Sequence, residues 1–283
     1  MKNVVLNYLR KEMPLPNVWC PGCGHGIILT AIVRAIAKMG WKKDEVVMVS
    51  GIGCSSRAPA YLDFSTLHTL HGRAIPFATG VKLGNPDLKV IVITGDGDGT
   101  AIGGNHFIHA CRRNIDLNVI LFNNNIYGMT GGQFSPTTPN AANTVTTPYG
   151  NFDQPFDISK LAIAAGATYV ARSTAFHANL LEQYILKAFQ HTGISIVEAI
   201  TQCPTCYGRR NQLKDGVGMM KWIKEHSFTK AKYEKMMAED PESIKSDDIV
   251  TGIFVDRNDY PEYIEQYRNK VKELLSQENK DGK

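Results

Sequence analysis

The order of apolar and polar positions predicts strands alternating with helices through most of the chain. Residues 25–39 carry apolar side chains at helical spacing and stop at Gly40. Residues 88–94 and 117–122 are continuously apolar, as in strands buried on both faces of a sheet. Further strands are predicted at 45–52, 168–171 and 195–200, and further helices at 72–83, 101–113, 157–166 and 176–192. This alternation predicts an α/β fold with a doubly wound, mostly parallel sheet.

Two segments depart from this pattern. Residues 123–156 are rich in Gly, Pro, Thr and Asn, and a loop of this length within a compact domain is more often functional than idle. Residues 215–283 are highly charged, with helical stretches near 219–237 and 261–275. We therefore expect a main domain over 1–214 and a helical C-terminal extension over 215–283, packed on that domain or on a partner.

Composition excludes several classes of protein. The 283 residues are 43% hydrophobic and 20% charged, which is ordinary for a globular chain. A net charge of +4 is too small and too dispersed to predict nucleic-acid binding. Asn7 and the charged residues 10–12 interrupt the N-terminal apolar stretch, so no signal peptide is predicted. No apolar run approaches membrane-spanning length, and a cytoplasmic location is expected.

Polar residues follow two buried strands of the predicted sheet. Gly95-Asp96-Gly97 comes directly after one strand, and Asn123-Asn124-Asn125 after the next. Ligands bind at the carboxyl ends of strands in open α/β sheets, and glycines let the backbone approach a diphosphate. Asp96, Asn124 and a nearby carbonyl form an oxygen set that suits Mg²⁺.

Four of the six cysteines are spaced as a metal cluster needs them. Cys20 and Cys23 form a CxxC pair before the first helix, and Cys54 and Cys203 each follow a strand. Four thiolates that meet at one sheet edge can hold a [4Fe–4S] cluster.

Other roles for the cysteines stay open on residues alone. The CxxC pair could be a thioredoxin-like redox pair, although no strand precedes it. A zinc site could use two CxxC pairs, formed by Cys20, Cys23, Cys203 and Cys206. The thiols could also be buried and inert, as we expect for Cys111.

The polar motifs resemble a known cofactor signature. Gly-Asp-Gly followed one strand–helix–strand unit later by Asn-Asn is similar to the thiamine diphosphate signature of decarboxylases, transketolases and oxoacid oxidoreductases. The string IYGMTGGQ at 126–133 resembles the 2-oxoacid:ferredoxin oxidoreductases in particular. WCPGCG, GIGC and QCPTCYGRRN resemble the β subunits of that family, and the resemblance covers roughly residues 19–211.

This resemblance implies roles for individual residues. Mg²⁺ would be held by the side chains of Asp96 and Asn124 and by the carbonyl of Ile126. The cluster ligands would be Cys20, Cys23, Cys54 and Cys203, with Cys206 a spare thiol. The residues implied around thiamine diphosphate are Gly95, Asp96, Gly97, Asp98, Asn124, Ile126 and Thr130.

Three further residues are weaker candidates. Met129 would lie near the reacting thiazolium by the same resemblance. His71 could hydrogen-bond the thiamine or the substrate, or equally serve as a structural cap. Arg57 follows Cys54 by three residues, and a basic residue there is associated in the family with the distal carboxylate of 2-oxoglutarate. A guanidinium holds a carboxylate through two hydrogen bonds, but a surface ion pair is the alternative.

The implied reaction is oxidative decarboxylation of a 2-oxoacid with coenzyme A, giving acyl-CoA and CO₂. Electrons would pass through the cluster to ferredoxin, in either direction overall, and 2-oxoglutarate is favoured over pyruvate. A larger α subunit would supply the coenzyme A site and the glutamate that activates the cofactor, so the chain alone would be inactive. The alternatives are a thiamine-dependent decarboxylase with a structural zinc site and a non-catalytic, zinc-stabilised scaffold.

Overall fold

The computed structural model describes residues 4–12, 16–213 and 215–280. Its helices are α1 (His25–Met39), α2 (Ala74–Gly84), α3 (Gly104–Arg113), α4 (Ile158–Ala164), α5 (Ala178–Gln190), α6 (Gly216–Glu225), α7 (Lys230–Glu239) and α8 (Tyr263–Lys280). Its strands are β1 (Val46–Ser50), β2 (Ser65–His68), β3 (Lys89–Gly95), β4 (Asn118–Asn123), β5 (Ile126–Tyr127), β6 (Gln133–Phe134), β7 (Tyr169–Thr174), β8 (Ser195–Ile200), β9 (Ser227–Thr229) and β10 (Ile249–Asp256).

The large sheet has the order β2-β1-β3-β4-β8-β7-β10-β9, and the strands from β2 to β7 in this order are parallel. Strands β4 and β8 are buried along their whole length, which explains their lack of apolar–polar alternation. The order reverses direction between β1 and β3, as in doubly wound folds. The predicted fold class is therefore confirmed.

Helices cover both faces of this sheet. One core cluster packs α1 and α5 against one face, and a second packs α2, α3 and α4 against the other. The helix boundaries follow local signals. Gly40 ends α1 in the left-handed conformation, and the Asp157 carboxylate caps α4 by accepting from the Lys160 main-chain N–H.

The C-terminal extension contributes strands as well as helices, which the sequence analysis did not predict. Strand β10 joins the large sheet antiparallel to β7, and β9 pairs with β10 in parallel. The predicted division at residue 214 stays a prediction. Lys214 and residues 281–283 lie outside the described residues. Residues 1–3 and 13–15, in the segment for which no signal peptide is predicted, also lie outside them.

The parallel strands bring their carboxyl ends to one edge of the sheet. The loops after β1, β2, β3, β4 and β8 carry residues 51–54, 69–72, 95–98, 124–130 and 201–206 to that edge. None of the helices in the described residues is both long enough and apolar enough to cross a membrane.

Candidate active site

A cavity of about 230 Å³ opens at this edge. The loops after β1, β3 and β4 form most of its wall, together with His71 from the loop after β2 and His25 from the start of α1. The lining residues that the sequence singled out are Cys54, His71, Gly95, Asp96, Gly97, Asp98, Asn124, Ile126, Met129 and Thr130. The structure thus brings these residues together around one space.

Three residues direct polar atoms at one point of the wall. One terminal atom of the Asn124 amide lies 2.8 Å from the Ile126 carbonyl oxygen and 3.3 Å from Asp96 Oδ1. If that atom is the nitrogen, it donates to both oxygens. If it is the oxygen, three oxygens face one another, an arrangement that a cation relieves. The amide can turn between these two states, because its two ends have nearly the same shape.

Asp96 is held in place by two hydroxyl donors from the long loop. Ser135 Oγ and Thr137 Oγ1 donate to Asp96 Oδ2 at 2.6 and 2.7 Å. Burial raises the pKa of the Asp96 carboxyl to about 6, even though these two hydrogen bonds act in the opposite direction. Asp96 Oδ1 receives neither hydroxyl and faces Asn124. The carboxylate therefore has one oxygen anchored by the protein and one directed at the candidate metal position.

Asp98, in the loop after β3, links that loop to the loops after β1 and β2 by hydrogen bonds. Its Oδ1 accepts from the main-chain N–H groups of Ile52 and Gly72 at 3.1 and 2.7 Å, and Thr94 Oγ1 donates to its Oδ2 at 2.7 Å. Asp98 Oδ1 also lies 2.8 Å from His71 Nδ1. Asp98 lines the cavity, but protein donors occupy both of its oxygens, and its carboxylate orients His71.

Two glycines are required by close neighbours. A Cβ on Gly97 would lie 2.3 Å from the ring of Tyr127, whose hydroxyl donates to the Gly97 carbonyl. A Cβ on Gly51 would lie 2.1 Å from Asp98 Oδ2. Gly97, the second glycine of the Gly-Asp-Gly motif, is therefore required by the packing of the loop against Tyr127.

The cysteine sulfurs gather beside the same cavity. A methyl group placed on Gly128 would lie 3.5 Å from the Cys54 sulfur and 3.6 Å from the Cys203 sulfur. Cys23 is close enough to Cys54 and Cys20 for their charges to interact, and Cys203 interacts in this way with Cys23. The spare thiol is also near: Cys206 Sγ lies 3.4 Å from the Gly128 carbonyl oxygen.

The thiols of Cys23, Cys54 and Cys203 are protonated when no nearby positive charge offsets their burial. Burial raises the pKa of Cys23 and of Cys54 to about 11, and the pKa of Cys203 to about 12. A thiolate is the form that binds metal, so a bound cation must supply the missing positive charge. Cys111 is buried in a core cluster away from the cavity, and burial raises its pKa to about 12.

Arg57 and the other weak candidates occupy different positions. Arg57 is exposed and does not line the cavity, although its charge lowers the pKa of the nearby Cys54 against the effect of burial. Met129 lines the cavity and is 43% exposed, so it stands at the mouth. Thr130 lines the cavity too, and its hydroxyl donates to Gln133 within the same turn.

A buried polar network behind the site was missed by the sequence analysis. Asn123 Nδ2 donates to Glu198 Oε1 at 2.8 Å. The Thr137 hydroxyl, which donates to Asp96, also lies 2.9 Å from Asn123 Oδ1. Arg172 Nε donates to Glu198 Oε2 at 2.8 Å. The signal was a charged residue inside each of two apolar strands, Arg172 in β7 and Glu198 in β8, because isolated buried charges are rarely left unpaired.

A family model and several known proteins match this chain. The family model of the thiamine pyrophosphate enzyme C-terminal TPP-binding domain matches residues 46–199. The 2-oxoglutarate synthase subunit KorB of Archaeoglobus fulgidus is 60% identical over 205 residues, which are 72% of this chain and 76% of that one. The KorB subunit of Methanothermobacter marburgensis is 51% identical over 90% of this chain and 88% of its own length.

A solved structure also matches. The 2-oxoglutarate:ferredoxin oxidoreductase from Magnetococcus marinus, with 2-oxoglutarate, coenzyme A and succinyl-CoA bound, has a TM-score of 0.82 and 33% identity. The match covers 96% of this chain and 90% of that chain.

Fold and matched residues together define the cofactor-binding domain of a thiamine pyrophosphate enzyme. More particularly, the chain belongs to the β subunits of the 2-oxoacid:ferredoxin oxidoreductases, of the 2-oxoglutarate type. Membership among the β subunits implies that an α subunit is the partner of this chain. The predicted family and class of enzyme are thus confirmed.

Proposed function

We propose that this β subunit binds thiamine diphosphate through Mg²⁺, holds one [4Fe–4S] cluster, and oxidatively decarboxylates 2-oxoglutarate with coenzyme A. Electrons leave through the cluster to ferredoxin. One observation carries the proposal: a single cavity is lined by the oxygen set of Asp96, Asn124 and Ile126 and by Cys54, with Cys203 beside it.

The oxygen set fits Mg²⁺. Octahedral Mg²⁺ binds oxygens at about 2.0–2.1 Å, which places neighbouring ligands roughly 2.9 Å apart. The measured spacings of 2.8 and 3.3 Å bracket that value. Asp96 supplies the negative charge, Asn124 and the Ile126 carbonyl supply neutral dipoles, and the remaining positions are left for diphosphate oxygens and water.

The cysteine arrangement favours a cluster over a single zinc ion. A zinc ion with four thiolates at about 2.3 Å requires sulfurs roughly 3.8 Å apart. Among the described residues, no three histidine, cysteine or carboxylate side chains converge in that manner. A four-iron cluster takes one thiolate on each iron, so its ligands stand further apart. Cys20, Cys23, Cys54 and Cys203 are assigned to it because the family resemblance implies these four ligands.

His71 is positioned to handle a proton. Asp98 faces its Nδ1 at 2.8 Å, which fixes the ring and leaves Nε2 to exchange a proton with a group in the cavity. Bound thiamine diphosphate would supply the electron sink for decarboxylation, and the adjacent cluster would accept the electrons. The open mouth at Met129 is where substrate enters.

The cavity needs a second protein surface. Its described lining includes two aspartates and no glutamate. The acid that activates the thiamine ring is therefore assigned to the larger α subunit, which also contributes to the coenzyme A site. Exposed apolar side chains in the loops after β1, β2 and β3 support such a covering: Ile52, which lines the cavity, is 40%, Leu70 68% and Ile102 51% exposed.

Metal analysis of the complex tests the proposal. The chain is purified anaerobically with its partner, and iron, sulfide and zinc are measured. About four irons and four sulfides per β subunit, with a visible absorbance bleached by dithionite, are expected. Cys203→Ser should lose iron and its matched control Cys206→Ser should retain it. Zinc without iron would contradict the cluster and support the decarboxylase or scaffold alternatives.

Substrate preference is tested at Arg57. Because a guanidinium pairs with a second carboxylate, Arg57→Ala should raise the KM for 2-oxoglutarate much more than the KM for pyruvate. The control is Arg34→Ala, on α1, whose guanidinium lies 3.8 Å from Glu182. An equal effect on both substrates would remove Arg57 from the substrate site.

A further inference from the structure

The imidazole of His25 is buried without a hydrogen-bond partner. Its side chain is 1% exposed, neither ring nitrogen has a partner, and the ring lines the cavity. A buried polar group left unsatisfied has lost its hydrogen bonds to water and gained none in return, which destabilises the folded chain. Such a group in a cofactor cavity indicates a partner that arrives with the cofactor.

The ring is locked in position between two aromatic neighbours. It meets the Trp19 ring edge-on at 5.7 Å and the Phe122 ring edge-on at 5.1 Å. Trp19 is itself fixed, because its Nε1 donates to the Cys54 carbonyl at 2.7 Å. The flanking rings hold the imidazole without satisfying its nitrogens.

The same residue lies next to two assigned cluster ligands. The main-chain N–H of His25 donates to the Cys23 sulfur, and Cys23 and Cys54 are close enough for their charges to interact. Cys54 and His25 line the same cavity. The imidazole therefore stands beside the space that Cys23 and Cys54 share.

We propose that His25 donates a ring N–H hydrogen bond to a sulfur of the cluster and thereby raises its reduction potential. This inference rests on the proposed function, since it needs the cluster. An imidazole carries at least one N–H in either protonation state. Hydrogen bonds to cluster sulfurs stabilise the reduced form, which has the greater negative charge. His25 is then a positioning residue for electron transfer and not a ligand.

The test compares His25→Phe with His25→Gln in the anaerobic holoenzyme. Phenylalanine keeps a flat ring between Trp19 and Phe122 but has no N–H, whereas glutamine restores a donor. The matched control is His191→Phe, a buried histidine at the opposite sheet edge that hydrogen-bonds Thr168 at 2.7 Å. The readouts are iron content, the midpoint potential of the cluster by redox titration, and exchangeable-proton coupling by electron–nuclear double resonance.

With iron retained, His25→Phe should shift the midpoint to a more negative potential and lose one exchangeable-proton coupling. His25→Gln should recover part of the shift, and His191→Phe should match the wild type.

An unchanged midpoint and coupling in iron-replete His25→Phe would overturn the inference and leave the proposed function standing. Weaker thiamine diphosphate binding at an unchanged midpoint would also overturn it, in favour of the diphosphate as the acceptor. Iron lost from both His25 variants would show that the ring serves packing, which overturns the donor role. A wild-type complex without iron would defeat the proposed function and this inference together.

Discussion

Asp96 and Asp98 are two positions apart in the sequence, but their surroundings differ and so do their roles. Asp96 has one oxygen free to face Asn124, and Asp98 has both oxygens occupied by protein donors. A carboxylate with a free oxygen can bind a metal, whereas a saturated one can only orient what donates to it. The residue-scale expectations for the two positions therefore differ.

Replacing Asp96 with Asn should weaken Mg²⁺-dependent binding of thiamine diphosphate at least roughly 100-fold, because the only carboxylate of the oxygen set is lost. Thr137→Val should weaken it by about 10-fold to 100-fold, since only the anchoring hydrogen bond is removed. Titration calorimetry with and without Mg²⁺ measures both. The control is the exposed aspartate Asp87, as Asp87→Asn. Equal affinities for wild type and Asp96→Asn would refute the metal assignment.

Replacing His71 with Gln should lower kcat by roughly 10²- to 10⁴-fold while cofactor binding is kept, because a positioned proton-transfer group is removed. Asp98→Asn should lower kcat as well, and the double variant should be no worse than the more damaged single variant, since the two side chains act as a unit. The control is His68→Gln, a histidine on β2 that contacts Ser50. Additive effects of the two substitutions would show that they act separately.

At the scale of elements, one buried ion pair ties the site to neighbouring strands. Arg172 of β7 contacts Glu198 of β8 and the cap residue Asp157, and its guanidinium lies 5.6 Å from the Phe254 ring of β10. Glu198 in turn accepts from Asn123, at the end of β4. The network therefore positions the end of β4, from which the loop proposed to bind Mg²⁺ departs.

Arg172→Met should lower the free energy of unfolding by about 3–5 kcal/mol, because it leaves Glu198 buried and unpaired. The matched control is Lys160→Met. Lys160 also faces Asp157, at 3.8 Å, but is 84% exposed, so at most about 1 kcal/mol is expected. Urea unfolding of the purified chain measures both. Equal losses would mean that burial does not decide the strength of this pair.

Asp157 gives the same network a dependence on pH. Burial alone would raise the pKa of its carboxyl, but Arg172 and Lys160 together outweigh burial and hold that pKa below the ordinary value. A depressed pKa stabilises the folded state above the unfolded pKa of about 3.9 and loses this effect as pH falls through the folded pKa. Asp157→Asn should thus be less stable than wild type by roughly 1 kcal/mol at pH 7, with the gap closing in acid. A gap unchanged at pH 3 would contradict this.

Elements with strong local patterns could be predicted from sequence. The residues of α1 match the prediction to the residue, and β3, β4 and β8 were predicted within one residue at each end. Strand β2 was missed because it is short and mostly exposed, so it has no apolar run. Strand β10 was missed although residues 249–255 are largely apolar, because the surrounding charged tail was taken as helical.

The site was predictable to the extent that it follows strand ends. Asp96, Asn124 and Cys54 come directly after buried strands, so topology alone brings them to one edge. The partners of Asp96 could not be predicted, because Ser135 and Thr137 come from a loop without a periodic pattern. Only the folded chain shows which loop hydroxyl meets which carboxylate.

At the scale of the whole molecule, the cavity mouth and the C-terminal extension lie at different places on the sheet. Exposed Ile52, Leu70 and Ile102 lie in the loops after β1, β2 and β3, at the edge of the sheet where the cavity opens, while β9 and β10 extend the sheet at its far side. Isolated exposed apolar residues are ordinary, but a group around a cofactor cavity marks a binding surface. The α subunit is therefore expected to cover the mouth.

A charge introduced at this rim should separate the subunits without unfolding the chain. Leu70→Asp is expected to abolish co-purification with the α subunit and hence activity, because a carboxylate buried in an apolar contact has no partner. Met237→Asp is the matched control: it places the same charge on α7, where Met237 is 48% exposed on the extension. Size-exclusion chromatography of co-expressed subunits separates the outcomes, and circular dichroism verifies folding. If Leu70→Asp forms the complex as well as Met237→Asp does, the α subunit binds elsewhere, and the glutamate missing from the cavity must come from another surface.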